Sequence, residues 1–554
     1  MLVGEAVGAA LAELGVEQVF GLVGSGNFHA TATLVERGAR FASSRHESAA
    51  VCMADAYARL TGQVGVASVH QGPGLTNALT GLTEAAKSRT PLLLLAGDTA
   101  PAQVHSNFRI DQAAACAAVG AVVERVNTPD SALADVERAY RRARDGRAVV
   151  LLMPLDVQAA ELPAWRPLRA GPLPRPPAPS AAAVAEVAEL VERATRPVVL
   201  AGRGAVLAGA REPLIELADQ AGALLATSAV ANGLFDGHPY DLGISGGFAS
   251  PLTAELLAAA DLVLGFGASL NHWTTRHGAL IGADAKVVQV DLEAEAIGAR
   301  QPVDAGIVAD VAEAATALLG ELRRRGVRGD GARSSVRFAP ERDELAARIA
   351  CGRWRHQPFE DASTPDTIDP RTLTIALDDL LPPGRALTVD SGHFAGWPIM
   401  YLAVADPGAF VFNQAFQSVG LGLGAAIGAA VARPDRVTVA ALGDGGAFMA
   451  LGELETAARL RLPLLVLVYN DDAYGAEVHH FEAHSTGLDL VRFPATDLAA
   501  LGRAAGAEGV TVRGLEDLTA VGTWLERPDR PLVVDAKVTP TVVADFLREA
   551  FRGG

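Results

Sequence analysis

Short apolar runs alternate with longer helical patterns along this sequence of 554 residues. Examples of the apolar runs are residues 91–97 (PLLLLAG), 197–202 (PVVLAG) and 462–471 (LPLLVLVYND). Strands that are apolar on both faces and separated by helices are typical of parallel sheets covered by helices on both sides. The pattern therefore predicts an α/β chain of doubly wound parallel sheets. In such sheets ligands bind beyond the carboxyl ends of the strands.

Two stretches interrupt this pattern and divide the chain into three blocks. Residues 163–180 are rich in proline, and residues 326–366 contain arginines, glycines and several prolines. Because proline runs suit neither a helix nor a central strand, we predict that both stretches are linkers. We expect three consecutive domains of ordinary size, at residues 1–162, 181–325 and 367–554.

Charge and composition exclude several classes of protein. The chain has 64 acidic and 47 basic residues and a net charge of −17, which does not suit binding to nucleic acid or to an anionic membrane. No stretch approaches the ~20 uninterrupted apolar residues of a membrane span. The first twenty residues lack the basic cluster of a secretory signal, and three cysteines are too few for a disulfide framework. We expect a cytoplasmic protein.

The most specific motif occupies residues 443–475, where one strand ends in Gly-Asp-Gly-Gly and the next ends in Asn-Asp-Asp. Asp444 and Asp471 would project from neighbouring strand ends, and two carboxylates form the kind of oxygen site that binds Mg²⁺. Gly445 and Gly446 at the start of the intervening helix would allow backbone N–H groups to approach a phosphate. A tight turn with a capping aspartate is the simpler alternative. The second acidic position after the next strand favours the metal and phosphate site.

This segment resembles the signature of thiamine diphosphate enzymes, a GDG followed by some two dozen residues and a pair of asparagines. The resemblance implies that thiamine diphosphate and Mg²⁺ are cofactors. It assigns Asp444, Asp471 and the backbone carbonyl of Ala473 to the metal, and it adds Tyr474 and Gly475 to the cofactor-binding residues. Here Asp471 stands where asparagine is usual, as in catabolic acetolactate synthases.

A second motif is RHESAAVCMADAYARLTG at residues 45–62, with Glu47 at the start of a helix. Alone, Glu47 is a carboxylate stabilised by the helix dipole. The stretch resembles the glutamate motif of the same family, which implies a side chain that bonds the cofactor pyrimidine and exchanges a proton with it. The resemblance covers essentially the whole chain. It also implies that Glu47 and Asp444 of one site come from different subunits, so that a homodimer is the minimal active unit and a homotetramer is expected.

Further cofactor contacts follow from the same resemblance. After the strand at 386–389, relatives contact the diphosphate, which makes Ser391, Gly392 and His393 candidates; a capped strand end is the alternative. The carbonyl of Gln417 would lie near the pyrimidine amino group. Val419 would lie under the bend of the cofactor.

The substrate side has fewer clear signals. His70 and Gln71 follow a strand and should face the cleft, and His70 is placed like the active-site histidine of benzoylformate decarboxylase-like enzymes. A structural histidine before a glycine turn is the alternative. Glu477 resembles in position the catalytic glutamate of pyruvate decarboxylases, with a solvated glutamate as the alternative. The remaining pocket candidates are Ser25, Gly26, Asn27 and His480.

The middle block carries a loose glycine-rich loop, AGRGAVLAG at residues 201–209. A lone pattern of this kind is weak support for a dinucleotide. Residues 266–278 (FGASLNHWTTRHG) do not resemble the arginine-bearing flavin segment of anabolic acetolactate synthases. We therefore expect no FAD in this domain.

The resemblance implies an acetolactate synthase-like carboligase. Such an enzyme decarboxylates a pyruvate-like 2-oxo acid and transfers the acyl group to a carbonyl acceptor. A simple 2-oxo acid decarboxylase, which His70 and Glu477 would favour, stays open, as does a benzaldehyde lyase-like enzyme that cleaves or forms acyloins. A catalytically silent binding or regulatory subunit is a further alternative, and the intact Glu47, Asp444 and Asp471 speak against it.

Overall fold

The computed structural model describes residues 1–327, 342–483 and 486–550. These residues form three six-stranded sheets in which every strand pair is parallel. Helices separate the strands in each sheet, which confirms the predicted fold of three doubly wound α/β units. Across the described ranges, no helix is both long enough and apolar enough to span a bilayer.

The N-terminal sheet has the strand order β2-β1-β3-β4-β6-β5. Its strands are β1 (Gln18–Gly21), β2 (Arg40–Ser43), β3 (Gly65–Val69), β4 (Leu92–Asp98), β5 (Val122–Arg125) and β6 (Ala148–Pro154). Its helices are α1 (Val3–Glu13), α2 (Phe28–Glu36), α3 (Glu47–Thr61), α4 (Pro73–Lys87), α5 (Gln112–Ala118), α6 (Ala132–Arg144) and α7 (Leu155–Gln158). The loops after β1 and β3 carry the predicted substrate-pocket residues, and α3 begins at the predicted glutamate.

The middle sheet has the order β12-β11-β10-β7-β8-β9. Its strands are β7 (Pro197–Ala201), β8 (Leu224–Thr227), β9 (Asp241–Ile244), β10 (Leu262–Phe266), β11 (Lys286–Asp291) and β12 (Ala305–Val308). The helices around it are α8 (Ala181–Arg193), α9 (Arg203–Leu207), α10 (Arg211–Ala221), α11 (Pro251–Ala258), α12 (His272–Thr275), α13 (Val311–Arg324) and α14 (Arg342–Cys351). The glycine-rich loop after β7 is tightly packed, since a Cβ on Gly202 would lie 2.2 Å from the Gly267 carbonyl oxygen.

The C-terminal sheet has the order β14-β13-β15-β16-β18-β17. Its strands are β13 (Ala386–Val389), β14 (Phe410–Phe412), β15 (Thr438–Gly443), β16 (Leu464–Asn470), β17 (Glu508–Val512) and β18 (Leu532–Lys537). Its helices are α15 (Pro370–Leu380), α16 (Gly396–Tyr401), α17 (Gly422–Ala432), α18 (Asp444–Met449), α19 (Glu453–Arg459), α20 (Gly475–Phe481), α21 (Leu498–Ala504), α22 (Thr519–Glu526) and α23 (Asp545–Ala550).

The second predicted linker contains a helix. Residues 328–341 of it lie outside the described residues, and α14 follows them. Leu345 and Ile349 of α14 are buried in an apolar cluster of the middle domain. Among the described side chains of α14, Leu345 and Ile349 supply the buried face, and so short an apolar pattern does not stand out in a stretch rich in proline and arginine.

The N-terminal and C-terminal domains of one chain share a core. Helices α3 and α17 pack closely, since a Cβ on Gly428 would lie 2.1 Å from the Met53 carbonyl oxygen. Apolar side chains of both sheets belong to the same buried cluster. Close backbone approach at a glycine needs the absence of a side chain. The contact therefore fixes α3, and the glutamate that begins it, relative to the C-terminal sheet.

A buried group of charges, which we call the junction cluster, lies where the three domains meet. It consists of Asp55, Arg59 and Glu84 from the N-terminal domain and Arg203 from the middle domain. Arg59 Nη2 lies 2.7 Å from Asp55 Oδ2 and 3.2 Å from Glu84 Oε1. Burial works against the charge of Arg59, but the two carboxylates outweigh it and raise its pKa. Burial and then repulsion from Arg59 lower the pKa of Arg203 to about 9.

Candidate active site

A cavity of about 230 Å³ lies at the carboxyl edge of the C-terminal sheet. Segments that follow β13, β15 and β16 form much of its wall. The sequence-predicted residues that line it are Ser391, Gly392, His393, Val419, Asp444, Gly445, Gly446, Asp471, Ala473, Tyr474, Gly475 and Glu477. The structure thus brings most of the predicted C-terminal residues into one site.

Asp444 and Asp471 form an acidic pair at the base of this cavity. Asp444 begins α18 directly after β15, and Asp471 follows the neighbouring β16. Asp444 is only 5% exposed, and burial raises the pKa of both carboxyl groups. Repulsion from Asp471 raises the pKa of Asp444 further. Two dehydrated carboxylates held together match the donor set of a hard divalent cation, which would neutralise them.

The acidic pair needs other ligands to complete a metal site. Among the described residues, no group of three or more His, Cys, Asp or Glu side chains is placed to hold a metal ion. Backbone carbonyls, water and phosphate oxygens are the usual additional ligands of Mg²⁺. The pair therefore suits a cation that is shared between the protein and a diphosphate.

Asn470 shapes the turn that presents Asp471. Its side-chain Nδ2 donates to Asp535 Oδ1 at 2.8 Å, and its Oδ1 accepts from the Asp472 N–H at 3.0 Å. Asp472 has a left-handed φ of 52°. Asn470 is only 2% exposed, so its side chain is used within the fold. The turn leaves Asp471 to face the cavity.

Three glycines form a cradle beside the acidic pair. A Cβ on Gly446 would lie 2.5 Å from Asp390 Oδ2, and a Cβ on Gly475 would lie 2.4 Å from Asp471 Oδ2. A Cβ on Gly445 would lie 2.7 Å from the Tyr474 ring. A larger residue at these positions would clash with those side chains, and the backbone of all three glycines lines the cavity. Such a surface suits a phosphate group, which backbone N–H groups bind.

His393 is held in one tautomer. Its Nε2 accepts from the Ala544 N–H at 2.9 Å, so a neutral ring carries its proton on Nδ1. Burial, and then the nearby His479 ring, lower the pKa of His393 to about 3, which keeps the ring neutral. The Nδ1 atom lies 3.5 Å from the position that a Cβ on Gly475 would take. His393 can therefore donate a hydrogen bond beside the glycine cradle.

The loop at residues 413–422 forms another wall of the site. Gln417 has a left-handed φ of 62°, and its carbonyl oxygen accepts from Ser391 Oγ at 3.4 Å. Val419 is 38% exposed and lines the cavity, whereas Gln417 is absent from the lining residues. The Gln417 carbonyl therefore borders Ser391 rather than the open cavity.

Asp390 organises the downstream end of this loop, and the sequence analysis missed it. Its fully buried carboxylate accepts from the N–H groups of Gly420 at 2.8 Å and Leu421 at 3.2 Å. Burial raises the pKa of Asp390 to about 6, although the backbone N–H groups act in the opposite direction. An acidic residue directly after a buried strand was the available signal. Asp390 was not selected from the sequence, because the resemblance pointed to the Ser-Gly-His that follows it as the diphosphate contact.

Glu47 lies at the start of α3 and is half-buried. Its Oε2 accepts from Asn77 Nδ2 at 3.1 Å. The chain just before it is held by Glu453, whose Oε1 accepts from the N–H groups of Arg45 and His46, both at 2.9 Å. Glu453 is 1% exposed and was also missed, because nothing in the sequence links α19 to residues four hundred positions earlier. It fixes the position from which Glu47 projects.

His70 and Ser25 form a hydrogen-bonded pair in the N-terminal domain. His70 Nδ1 lies 3.0 Å from the Gln71 carbonyl oxygen, and Nε2 lies 3.2 Å from Ser25 Oγ. A carbonyl only accepts, so Nδ1 carries the proton and Nε2 of the neutral ring accepts from the Ser25 hydroxyl. The ring of Phe108 lies against His70 with centroids 5.1 Å apart.

The other pocket candidates of the N-terminal domain are Gly26, Asn27 and Gln71, and both polar side chains among them are enclosed in the single chain. Gln71 is 3% exposed, and a Cβ on Gly26 would lie 1.8 Å from its Oε1. Asn27 is fully buried and donates from Nδ2 to the Leu22 carbonyl at 3.0 Å. In the single chain, neither the Gln71 side chain nor the Asn27 side chain is exposed.

The two sets of predicted residues lie apart in the single chain. In the described part of the protein, the cavity lining contains no residue of the N-terminal domain, so Glu47 and His70 are not in it. Glu477 is exposed at the cavity, whereas His480 lies outside the lining and stacks edge-to-face on Phe481. Glu47 and His70 therefore do not share this cavity in the single chain.

An acidic pair, a glycine cradle and a fixed histidine at a parallel-sheet edge define an enzyme that holds a diphosphate-bearing cofactor. Comparison with protein families identifies the class of enzyme. Residues 1–117 match the N-terminal TPP binding domain of thiamine pyrophosphate enzymes, residues 184–318 match their central domain, and residues 390–536 match their C-terminal TPP binding domain. The chain belongs to the thiamine pyrophosphate enzyme family.

Curated relatives carry the names of enzymes. A sulfoacetaldehyde acetyltransferase of Roseovarius nubinhibens is 28% identical over 97% of this chain and 92% of its own length. A probable 2-ketoarginine decarboxylase of Pseudomonas aeruginosa is 30% identical over 93% of this chain and 89% of its own length. A candidate acetolactate synthase large subunit of Mycobacterium tuberculosis is 28% identical over 98% of both. The protein is therefore a thiamine diphosphate-dependent enzyme of the decarboxylase and transferase type.

Proposed function

We propose that this enzyme is an acetolactate synthase-like carboligase that uses a pyruvate-like 2-oxo acid. The bond between the acyl carbon and the carboxylate breaks, and CO₂ leaves. The acyl carbon then forms a bond to the carbonyl carbon of an acceptor, whose oxygen takes up a proton. The observation that carries the proposal is the cavity in which Asp444, Asp471 and the glycine cradle lie beside Val419 and Glu477.

In this proposal, Mg²⁺ binds Asp444, Asp471 and the Ala473 carbonyl, and the cradle and His393 Nδ1–H hold the diphosphate. The bound cofactor supplies the acidic thiazolium carbon and the electron sink for decarboxylation. The chain supplies orientation, a proton-exchanging carboxyl group at Glu47 and a partly apolar wall. Exclusion of water from that wall would limit protonation of the acyl group. The absence of FAD from the middle domain stays a prediction.

The geometry of His70 supports acyl transfer over aldehyde release. A decarboxylase must deliver a proton to the acyl carbon after CO₂ leaves. With Nδ1–H bonded to the Gln71 carbonyl, a neutral His70 ring has no second N–H, and its Nε2 faces the Ser25 hydroxyl. In this arrangement His70 accepts a hydrogen bond on the side of Ser25 and offers no proton there.

The decarboxylase remains the second candidate because of Glu477. This carboxyl group is exposed at the cavity and could deliver a proton. One relative also bears the name of a 2-ketoarginine decarboxylase. Incubation with thiamine diphosphate, Mg²⁺ and a panel of 2-oxo acids and aldehydes separates the possibilities. We expect CO₂ release together with a ligated product, identified by its mass. Release of CO₂ with free aldehyde alone would indicate the decarboxylase. Formation or cleavage of an acyloin without CO₂ would indicate the lyase.

Replacement of Glu477 by glutamine and of His70 by alanine should slow turnover with cofactor affinity nearly unchanged. Neither side chain is proposed to contact the metal or the diphosphate, so the loss should fall on kcat. The ratio of aldehyde to ligated product should also change in Glu477→Gln, because that carboxyl group could deliver a proton to the acyl carbon. Kinetics and product analysis of the two variants check this. Wild-type rates and wild-type product ratios in both variants would indicate that Glu477 and His70 have only structural roles.

We further propose that the active site forms between two copies of the chain. The support is the absence of Glu47 from the cavity lining, together with two exposed apolar side chains: Phe108, which packs on His70 and is 42% exposed, and Met449, which lines the cavity and is 59% exposed. A homodimer is then the minimal unit, and a homotetramer would pair two such dimers. Measurement of the native mass shows how many copies of the chain the assembly contains.

A mixture of two inactive variants tests the shared site directly. In a dimer of one Glu47→Gln chain and one Asp444→Ala chain, one of the two shared sites would contain only native residues. Random reassociation should therefore restore about a quarter of the sites. A site built within one chain would stay inactive in every combination. Absence of recovered activity in verified mixed dimers would contradict the shared site.

A further inference from the structure

We propose that Glu84 is a positioning residue that holds the Gln417 loop in place for the cofactor. Glu84 lies on α4 of the N-terminal domain and is 1% exposed. Its Oε2 accepts from the Phe416 N–H at 2.7 Å, and its Oε1 accepts from the Ala415 N–H at 3.2 Å. The inference rests on the proposed function, in which Val419 of the loop at 413–422 lines the cavity that holds the cofactor.

The other side of Glu84 is fixed by charge. Arg59 Nη2 donates to Glu84 Oε1 at 3.2 Å, and Ser88 Oγ donates to the same oxygen at 3.3 Å. A buried carboxylate is stable only with such partners, and hydrogen bonds to a charged acceptor are stronger than neutral ones. The carboxylate therefore joins the junction cluster to the backbone of the loop. Lys87 of the same helix also lies over the Phe416 ring, 5.9 Å from its centroid.

The loop is anchored at its other end by Asp390, which bonds the N–H groups of Gly420 and Leu421. Gln417 lies between the two anchors with a φ of 62°, a conformation that costs energy for a residue with a side chain. Such a residue keeps a strained backbone only when its surroundings fix both sides. Release of the Glu84 anchor would let Gln417 relax. The Gln417 carbonyl and Val419 would then move relative to the cavity.

Glu84→Gln tests this role, and Asp55→Asn is the matched control. Both residues bond Arg59, but only Glu84 bonds the loop. In the apoprotein, hydrogen exchange of the Ala415 and Phe416 amides should become faster in Glu84→Gln and stay near wild type in Asp55→Asn. With thiamine diphosphate and Mg²⁺, exchange at the thiazolium carbon should slow by about tenfold to a hundredfold in Glu84→Gln, with cofactor affinity changed only a few-fold.

Glu84→Asp covers the case in which Glu84→Gln does not fold, since it keeps the charge beside Arg59 and withdraws the carboxylate from the loop. It should show the same faster amide exchange. Wild-type loop protection in a folded Glu84 variant, or equal effects in Asp55→Asn, would overturn the proposal. The apoprotein measurement does not depend on the cofactor. Failure of cofactor binding in the wild type would instead refute the proposed arrangement of the active site.

Discussion

Replacing Glu47 with glutamine is expected to slow proton loss from the thiazolium carbon by about 10²–10⁴-fold, the usual contribution of a general acid or base. An amide keeps the hydrogen bond to Asn77 but cannot exchange a proton with the pyrimidine. The loss should affect every later step. Deuterium exchange at the thiazolium carbon, followed by NMR after acid quenching, isolates this event from substrate chemistry.

The cofactor affinity of Glu47→Gln should fall only modestly, because in the proposed site the diphosphate and the metal would be held by the C-terminal domain. Glu455→Gln is a suitable control. Glu455 pairs with Arg45 at 2.7 Å, two residues before Glu47, but has no proposed contact with the cofactor. Exchange in Glu455→Gln should match the wild type. If Glu47→Gln also exchanges at the wild-type rate, Glu47 is only a carboxylate at a helix start.

Replacing Asp444 with alanine should remove activity by releasing the metal and, with it, the cofactor. The proposed site has two carboxylates, and loss of one would leave Asp471 as the only side-chain ligand among the described residues. Loss of groups that merely support a metal ligand typically lowers metal affinity by about 10–100-fold, so loss of a ligand should exceed about a hundredfold. Calorimetric titration of the apoprotein with thiamine diphosphate in the presence of Mg²⁺ measures this.

Two controls belong with this variant. Asp472→Asn removes a neighbouring negative charge and suits the left-handed backbone at this position, where φ is 52°. It should bind the cofactor nearly as the wild type does. Chelation of Mg²⁺ from the wild type should reproduce the loss seen in Asp444→Ala. Unchanged cofactor affinity in Asp444→Ala would refute the metal assignment.

Local features of the sequence predicted the fold and the acidic pair. Strands β10 and β16 are apolar along their length, so burial on both faces could be read from composition alone. Asp444 and Asp471 each follow a strand, and parallel neighbours bring such positions to the same edge. For these two residues, the order of strands along the chain is enough to place the side chains close together in space. The prediction of their proximity therefore needed no knowledge of side-chain packing.

Residues whose partners are distant in sequence could not be predicted in this way. Glu84 looks like any glutamate of an amphipathic helix, but it bonds amides more than three hundred positions later. Glu453 similarly holds the start of a helix in another domain. Gln71 was expected to face the cleft, whereas the close backbone of Gly26 and Gly97 encloses its side chain. Which side of a turn a polar residue occupies depends on packing that local patterns do not encode.

The junction cluster restricts how substrate can enter. Rotation of the C-terminal domain would separate the buried Glu84 carboxylate from the Ala415 and Phe416 N–H groups, at a typical cost of about 1.5–3 kcal/mol for each hydrogen bond to a charged group. The apolar contact of α3 with α17 opposes the same rotation. Gating by whole-domain opening is therefore disfavoured in this chain. Admission of substrate and release of product fall instead to short elements that line the cavity, such as α20, which carries the exposed Glu477.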